Sequence, residues 1–564
     1  MKYTRLGDLL IGTGVINHDQ LQQALAIQKK KGQRLGETLV SEGIITERQL
    51  IDALTMQLGI DYVDLTDVDI NPNMTKLVSK NIAKRYSVVP VRTSGDDLYL
   101  AMSDPLNFIA TEEVKASSRK HIIPMIATQS SIDHAISALY DTEGAKRAIR
   151  EMQKEGIRKP SYAIGTQTSK LSDEDSTQAP SIRLVDNIIE RGISDRASDI
   201  HIEPQEDRVT VRLRIDGILH NVFKIPKELQ PSLTSRIKIM CGMDVTERRV
   251  PQDGRAVVRL HMKEVDLRAS TLPTVHGEKI VLRILDRDQR MDTAEGLGFY
   301  GDNLDRYNAL LENHQGIVLV VGPTGSGKSS TLYAMVQHLN TEAVNIVTLE
   351  DPVEYNIEGV NQVQIDEKTG TTFASGLRAV LRQDPDIISV GEIRDTETAN
   401  IAMRAAITGH LVFSTVHTSD AISTLDRLDD IDVPPYMVAT ALKGIISQRL
   451  LRRICPNCRH AYTPSPNELE SLGMDPDAKD IAFYRGEGCS ECFNTGYQGR
   501  TVAAEILHVT PRLSRAIHDR SSRHELTAAV SASGFHPIAE NCRDLVLKGI
   551  TTSDEVLRTV FTAE

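Results

Sequence analysis

The first sixty residues repeat their own apolar pattern. RLGDLLIGTGVINHDQLQQALAIQ (5–28) aligns with RLGETLVSEGIITERQLIDALTMQ (34–57), so that Arg5 falls on Arg34 and Gln28 on Gln57. Each copy predicts a short helix, a turn at Gly14 or Gly43, and a second helix capped by Asn17 or Thr46, with leucines at three- and four-residue spacing. Two such copies predict a small helical bundle over 1–60, because a helical pair alone cannot bury its apolar face. Residues 61–141 change character. SVVPVR (87–92) and DLYLAMSD (97–104) read as strands, and 74–80 and 130–139 as helices, which predicts a small α/β module. Residues 142–180 lose the pattern: a charged helical piece, GAKRAIREMQKEGIRK, runs into a polar Ser/Thr-rich stretch, the signature of a flexible linker.

Patterning resumes at 181 with the helix SIRLVDNIIERGIS, the strand ASDIHIEP and one long alternating strand, VTVRLRIDGILHNV (209–222). A helix around 229–242 and the strands AVVRLHM, EVDLRAST and EKIVLRIL complete a folded region over 181–290. Alternation places Arg212 and Arg214 on one strand face.

The stretch from Gly316 to Leu339 carries the sharpest signal. The apolar run Ile317–Val321 reads as a buried strand and STLYAMVQHL as a helix; between them stands Gly322-Pro323-Thr324-Gly325-Ser326-Gly327-Lys328-Ser329-Ser330. This is G-x-x-x-x-G-K-[ST] in its required strand–loop–helix setting. Glycines let backbone N–H groups close around phosphate oxygens, and the helix N-terminus adds its positive dipole end. Lys328 would reach the β- and γ-phosphates of ATP, and the Ser329 hydroxyl would ligate Mg²⁺. Two further strands end in carboxylates: NIVTLEDPVEY brings Glu350, Asp351 and Glu354, and DPDIISVGEIRD brings Glu392. Carboxylates at the ends of parallel strands beside such a loop hold the metal and the attacking water. Glu392 is the candidate for polarising that water, with the other three assisting. A third strand in TGHLVFSTVHTSDA is flanked by His410 and His417; two histidines flanking a strand in this series make both catalytic candidates, and His417 is suited to a γ-phosphate contact.

Net charge and cysteine content narrow the function. A formal net charge of −12 argues against nucleic acid as the main partner. No apolar run reaches the ~18 residues of a membrane span, and Asp8 interrupts the N-terminal apolar stretch, so a cytoplasmic protein is expected. Cys455-x-x-Cys458 and Cys489-x-x-Cys492 form two metal-type pairs. Four thiolates close a tetrahedral shell and leave no open position, which predicts a structural Zn²⁺ with an inserted helix, PNELESLG. Cys241 and Cys542 stand apart and read as buried packing residues.

Taken together, ASDIHIEP, RLRIDG, RRVPQDGR, the phosphate loop, the Glu350 and Glu392 segments and the His417 segment resemble the ATPases of type II secretion and type IV pilus assembly. The repeated R-L-G…L…L…Q pattern is similar to the cyclic-di-GMP-binding front domain of some members. The resemblance implies a RecA-like P-loop ATPase core with a zinc module (291–564, zinc at about 452–495) preceded by an α+β, PAS-like domain (181–290). It also implies a cyclic-di-GMP site built from Arg5, Leu6, Gly7, Leu21, Leu25, Gln28 and their counterparts Arg34, Leu35, Gly36, Leu50, Leu54 and Gln57. It implies a homohexamer in which Arg212 and Arg214 reach a neighbour's nucleotide, docked on an inner-membrane platform protein. A pilus-assembly motor is the expectation. A type II secretion ATPase, a non-hydrolysing cyclic-di-GMP scaffold and a DNA translocase are the alternatives.

Overall fold

The computed structural model describes residues 6–31, 35–41, 44–45, 47–65, 68, 70–136, 139–140, 149, 179–260, 263–286 and 293–561. Arg5, Arg34, Gly43, Thr46 and nearly all of the expected linker lie outside the described residues. The chain divides into two compact units, Met1–Asp288 with Gly488–Thr495, and Gln289–Glu487 with Gly496–Glu564. Among the described residues, no helix is long and apolar enough to cross a membrane.

The repeat folds as its pattern requires. Helices α1 (Leu6–Gly12), α2 (His18–Lys31), α3 (Leu35–Ser41) and α4 (Glu47–Leu58) pair α1 with α4 and α2 with α3. Equivalent positions of the two copies fill the core: Leu10 and Leu39, Ile16 and Ile45, Ala24 and Ala53. Asn17 caps α2 reciprocally with Gln20: Asn17 Oδ1 accepts from the Gln20 amide at 2.8 Å, and Gln20 Oε1 from the Asn17 amide at 2.9 Å. The glycines have a packing reason as well. A Cβ on Gly7 would stand 2.9 Å from Leu21 Cδ1, and one on Gly36 would stand 2.9 Å from Leu50 Cδ1.

Residues 88–126 form a three-stranded sheet in which β1 (Val88–Ser94) and β2 (Asp97–Met102) run antiparallel and β3 (His121–Ile126) lies parallel to β2. The helix Phe108–Ser118 and β3 are additions to the predicted elements. Pro124 is tolerated in β3 because that strand is an edge, where a missing N–H breaks no ladder. The predicted helix at 74–80 is instead a 3₁₀ turn, Pro72–Lys76, followed by the helix Lys80–Tyr86.

The next domain is a six-stranded antiparallel sheet backed by the helices Pro180–Ser194 and Gln230–Met240. Its strands are β4 (Asp199–Pro204), β5 (Arg208–Ile215), β6 (Ile218–Pro226), β7 (Gln252–Leu260), β8 (Lys263–Thr274) and β9 (Gly277–Asp286), in the order β6-β5-β4-β9-β8-β7. The single strand expected over 209–222 is in fact a hairpin. Asp216 (φ 47°) and Gly217 (φ 85°) turn the chain, as an Asp-Gly pair does in a two-residue loop.

The second unit is built on a seven-stranded sheet. Its strands are β10 (Gly316–Val321), β11 (Ile346–Glu350), β12 (Asn361–Gln364), β13 (Ile387–Val390), β14 (Leu411–Val416), β15 (Leu442–Ile454) and, beyond a separate two-stranded sheet of β16 (Arg459–Tyr462) and β17 (Phe483–Gly486), β18 (Tyr497–His508). The order is β12-β11-β13-β14-β10-β15-β18, parallel except for β18. Every residue of β10 is buried, as expected of a central parallel strand covered on both faces.

Candidate functional site

The register of the parallel sheet decides which residues meet. Val321 at the end of β10 pairs with Val416 and Ser447, Val390 pairs with Ser414, and Leu349 pairs with Val390. The residues at and just beyond the ends of these strands therefore gather at one carboxyl edge: the loop from Gly322, His417, Gly391-Glu392 and Glu350. This is the crevice in which an open α/β sheet binds its ligand.

Gly322 takes φ 143°, and a Cβ there would meet Gln448 O at 2.5 Å and Ser326 Oγ at 2.6 Å. Only glycine fits. The loop curls tightly enough for the Lys328 ammonium to donate to the Gly322 carbonyl at 2.8 Å and the Pro323 carbonyl at 3.1 Å. Burial pushes the Lys328 pKa down, the Glu392 carboxylate opposes that shift, and Arg449 adds to it. Ser326 Oγ is buried without a hydrogen-bond partner among the described residues, a donor suited to a phosphate oxygen. Ser329 and Ser330 open the helix Lys328–Leu339 and are exposed, as are Pro323, Thr324 and Gly325.

Glu392 is mostly buried and faces Arg394 and His417. Its Oε1 pairs with Arg394 Nη2, and its Oε2 stands 3.4 Å from His417 Nε2. These three residues, with Arg427, line a cavity of about 450 Å³. Asp351 is exposed and Glu354 half-buried on the loop after β11. Glu350 is used differently from what the sequence suggests. Its carboxylate accepts from the Tyr333 hydroxyl, from Thr348 Oγ1 and from Gln362 Nε2 at 2.9 Å, so it braces the loop.

His410 does not join the site. It precedes β14 at the amino end of the sheet, roughly 20 Å from His417 at about 3.3 Å per strand residue. Its Nδ1 lies 2.9 Å from the Ala405 carbonyl, closing the end of the helix Thr396–Ile407. Sequence proximity to a strand does not say which end a residue occupies.

Gln448 went unnoticed in the sequence. Fully buried on β15, it donates from Nε2 to the Ser326 carbonyl at 2.9 Å and accepts from Thr331 Oγ1 at 2.9 Å, tying the phosphate loop to the sheet. The parallel pairing of β15 with β10 brings it there, and no local motif announces it.

In the antiparallel sheet, Arg212 pairs with Glu203 at 2.7 Å and Arg214 lies 3.9 Å from Asp199. The ladder sets Arg214, Asp199, Arg283, Arg268 and Arg255 side by side in one row across five strands. Arg255, Arg268 and Arg283 line, with Asp199 and Asp253, a cleft of about 420 Å³, and Arg283 Nε lies 3.2 Å from Asp199. Three arginines were thus missed by sequence reasoning; their alternation within QDGR, DLRAST and LRILD acquires meaning only once the register is known.

The four paired cysteines meet: one sulfur from each of Cys455, Cys458, Cys489 and Cys492 lies within 4.8 Å of every other. A tetrahedral ion with bonds of about 2.3 Å spaces its sulfurs about 3.8 Å apart, and Cys489 and Cys492 stand at 3.7 Å. The donor set fits zinc. The expected insertion helix is present as Pro466–Ser471, with a capping box of Ser465 and Glu468. Cys241 and Cys542 are buried elsewhere, and burial pushes their thiols up to about 11 and about 12.

Comparison with known proteins agrees with this geometry. The family model "Type II/IV secretion system protein" matches residues 174–558, and the "MshEN domain" model matches 58–146, beginning after the helical repeat. The type IV pilus assembly ATPase PilB of Myxococcus xanthus is 39% identical over 559 residues, covering 98% of either chain. The type II secretion system protein E of Pseudomonas aeruginosa is 40% identical over 467 residues, 82% of this chain and 92% of that one. The Legionella pneumophila ATPase DotB shares the fold, with a TM-score of 0.50, 19% identity, and coverage of 67% of this chain and 95% of that one. The chain belongs to the type II/IV secretion system protein family and is one of its ATPases.

Proposed function

We propose that this ATPase powers type IV pilus assembly as a Mg²⁺-dependent homohexameric motor acting on an inner-membrane platform protein. The observation that carries the reading is the convergence of Lys328, Glu392 and His417 at the carboxyl ends of adjacent parallel strands. It is supported by an end-to-end match, 98% of both chains, to a pilus-assembly relative. The phosphate loop's amides, Ser326 Oγ and Lys328 bind the phosphates. Ser329, Asp351 and Glu354 offer the oxygen donors that a hard cation takes. Glu392 orients the attacking water, held until then against Arg394 and His417. Developing charge on the γ-phosphate is stabilised by the arginine row, Arg214, Arg268 and Arg283, presented by a neighbouring subunit. The Cys455, Cys458, Cys489 and Cys492 thiolates hold a structural zinc.

The two-copy helical repeat binds cyclic-di-GMP. The matched pairs Leu6 and Leu35, Leu21 and Leu50, Leu25 and Leu54, and Gln28 and Gln57 supply a two-fold ligand with a two-fold lining. Arg5 and Arg34 supply planar forks for phosphate or a guanine edge. Calorimetric titration of cyclic-di-GMP into wild type and Arg34→Ala tests this: binding lost in the variant supports it, and no binding to wild type removes it. The cellular role is tested by a chromosomal Lys328→Ala replacement. Loss of surface pili with unchanged protein secretion is expected, whereas lost secretion with intact pili would move the chain to the type II machinery.

A further inference from the structure

Tyr333 lies one and a half turns into the helix that begins at the phosphate loop, and its hydroxyl is buried in the polar network under the carboxylate loop. It donates to Glu350 Oε2 and accepts from the Glu354 backbone N–H at 3.0 Å. Its ring packs against Tyr355, with centroids 4.5 Å apart. Glu350 Oε1 accepts from Gln362 Nε2 at 2.9 Å, and the same Gln362 donates to the Tyr355 carbonyl at 3.1 Å and accepts from the Ile357 amide at 2.7 Å. The loop that carries Asp351 and Glu354 is therefore pinned at Glu354, Tyr355 and Ile357, and every pin traces back to Glu350. The pin at Glu354 runs through the Tyr333 hydroxyl to the helix that carries Lys328 and Ser329.

We propose that Tyr333 is a positioning residue for hydrolysis: its hydroxyl fixes the carboxylate loop to the nucleotide-binding helix, so that Asp351 and Glu354 hold a set distance from the phosphates. Burial and the adjacent Glu350 raise the phenol's pKa, so it stays a donor across the physiological range. The ring alone could be supplied by phenylalanine, which would fill the same volume and keep the stacking on Tyr355. The hydroxyl is what bridges a side-chain acceptor and a backbone donor of the loop, and phenylalanine would leave the Glu354 N–H without it. The inference rests on the reading that Asp351 and Glu354 serve the metal or the water.

The test uses the full-length chain with Tyr333→Phe, measuring ATP turnover, its Mg²⁺ dependence, binding of a fluorescent ATP analogue and the melting temperature. The expected result is a kcat lowered about tenfold and a raised Mg²⁺ midpoint, with nucleotide Kd within about twofold, because the interaction serves the transition state more than ground-state binding. A kcat and Mg²⁺ midpoint equal to wild type in a folded variant would overturn it. So would a uniform loss of binding, turnover and melting temperature, which is the signature of a purely structural hydroxyl. Thr348→Val removes a donor from Glu350 without touching the Glu354 amide; it should lower the melting temperature and leave the Mg²⁺ midpoint in place. Glu354→Gln separates the two levels. If it turns over like wild type, the reading of the carboxylate loop fails; if it is impaired while Tyr333→Phe is not, only this inference fails.

Discussion

Gln448→Leu tests how the phosphate loop is held. The side chain is fully buried and makes two hydrogen bonds of 2.9 Å, one to the Ser326 carbonyl and one from Thr331. Leucine has nearly the same volume, so the cavity contribution is small and the polar loss dominates. Thr331 Oγ1 can turn back onto the Gly327 carbonyl, which already accepts from the Thr331 amide at 3.1 Å. The Ser326 carbonyl has no such recourse. Leaving one buried acceptor unpaired costs about 1–3 kcal/mol. At 1.4 kcal/mol per decade, ~2 kcal/mol expressed in the shape of the loop weakens ATP binding about thirtyfold. Titration of a fluorescent ATP analogue reads the Kd, and differential scanning fluorimetry reads the stability. A Kd within about threefold of wild type, with only a lowered melting temperature, would mean instead that the bond supports the sheet and not the phosphate cradle.

Other outcomes follow from the same geometry. Neither Lys328→Ala nor Arg283→Ala alone should turn over ATP, but mixed and reassembled subunits should regain activity if the arginine row completes a neighbour's site; phosphate release from the mixture checks this. In native protein, Cys241 and Cys542, with thiols pushed up to about 11 and about 12, should resist iodoacetamide at neutral pH, while a chelator should expose the four paired cysteines to it; mass spectrometry counts the labels. Glu190 on the helix Pro180–Ser194 lies between Lys84 and Lys80, the latter at 2.9 Å. Burial alone would raise its pKa, but the two ammoniums outweigh burial and hold it below the usual carboxylate value. Its contribution to stability is therefore complete above about pH 4.3 and lost as pH falls through the lower folded value. Acid melting of Glu190→Gln should show a weaker pH dependence in that window.

How much was legible in the sequence depended on whether the chemistry is contiguous. The phosphate loop, the strand ending before Glu392 and both cysteine pairs each sit within a dozen residues, where spacing alone carries meaning. The helical repeat was readable because its two copies bury the same positions, Leu10 with Leu39 and Ala24 with Ala53. What was missed depends on pairing between distant segments. Gln448 reaches the loop through parallel register, and Arg255, Arg268 and Arg283 line up through antiparallel register, so neither forms a string in the sequence. His410 sits at the far end of the sheet from His417, and a strand's two flanks look alike in sequence until its direction in the sheet is known. The run VTVRLRIDGILHNV hid a hairpin because its turn takes only two residues, Asp216 and Gly217, between two apolar segments. Glu350 is the subtler case. Its position at a strand end suggested metal or water, while its three donors make it the brace on which the neighbouring carboxylates rest.

The proposed chemistry is ATP hydrolysis at the carboxyl edge of the parallel sheet, with Glu392 acting on water. The most direct measurement is Mg²⁺-dependent phosphate release by the purified full-length chain, compared with Glu392→Gln, alongside ATP-analogue affinity for both. Loss of a general base costs about 10²–10⁴-fold in rate, so turnover should collapse by that order while affinity stays near wild type. Turnover preserved in Glu392→Gln would remove Glu392 from the hydrolytic step.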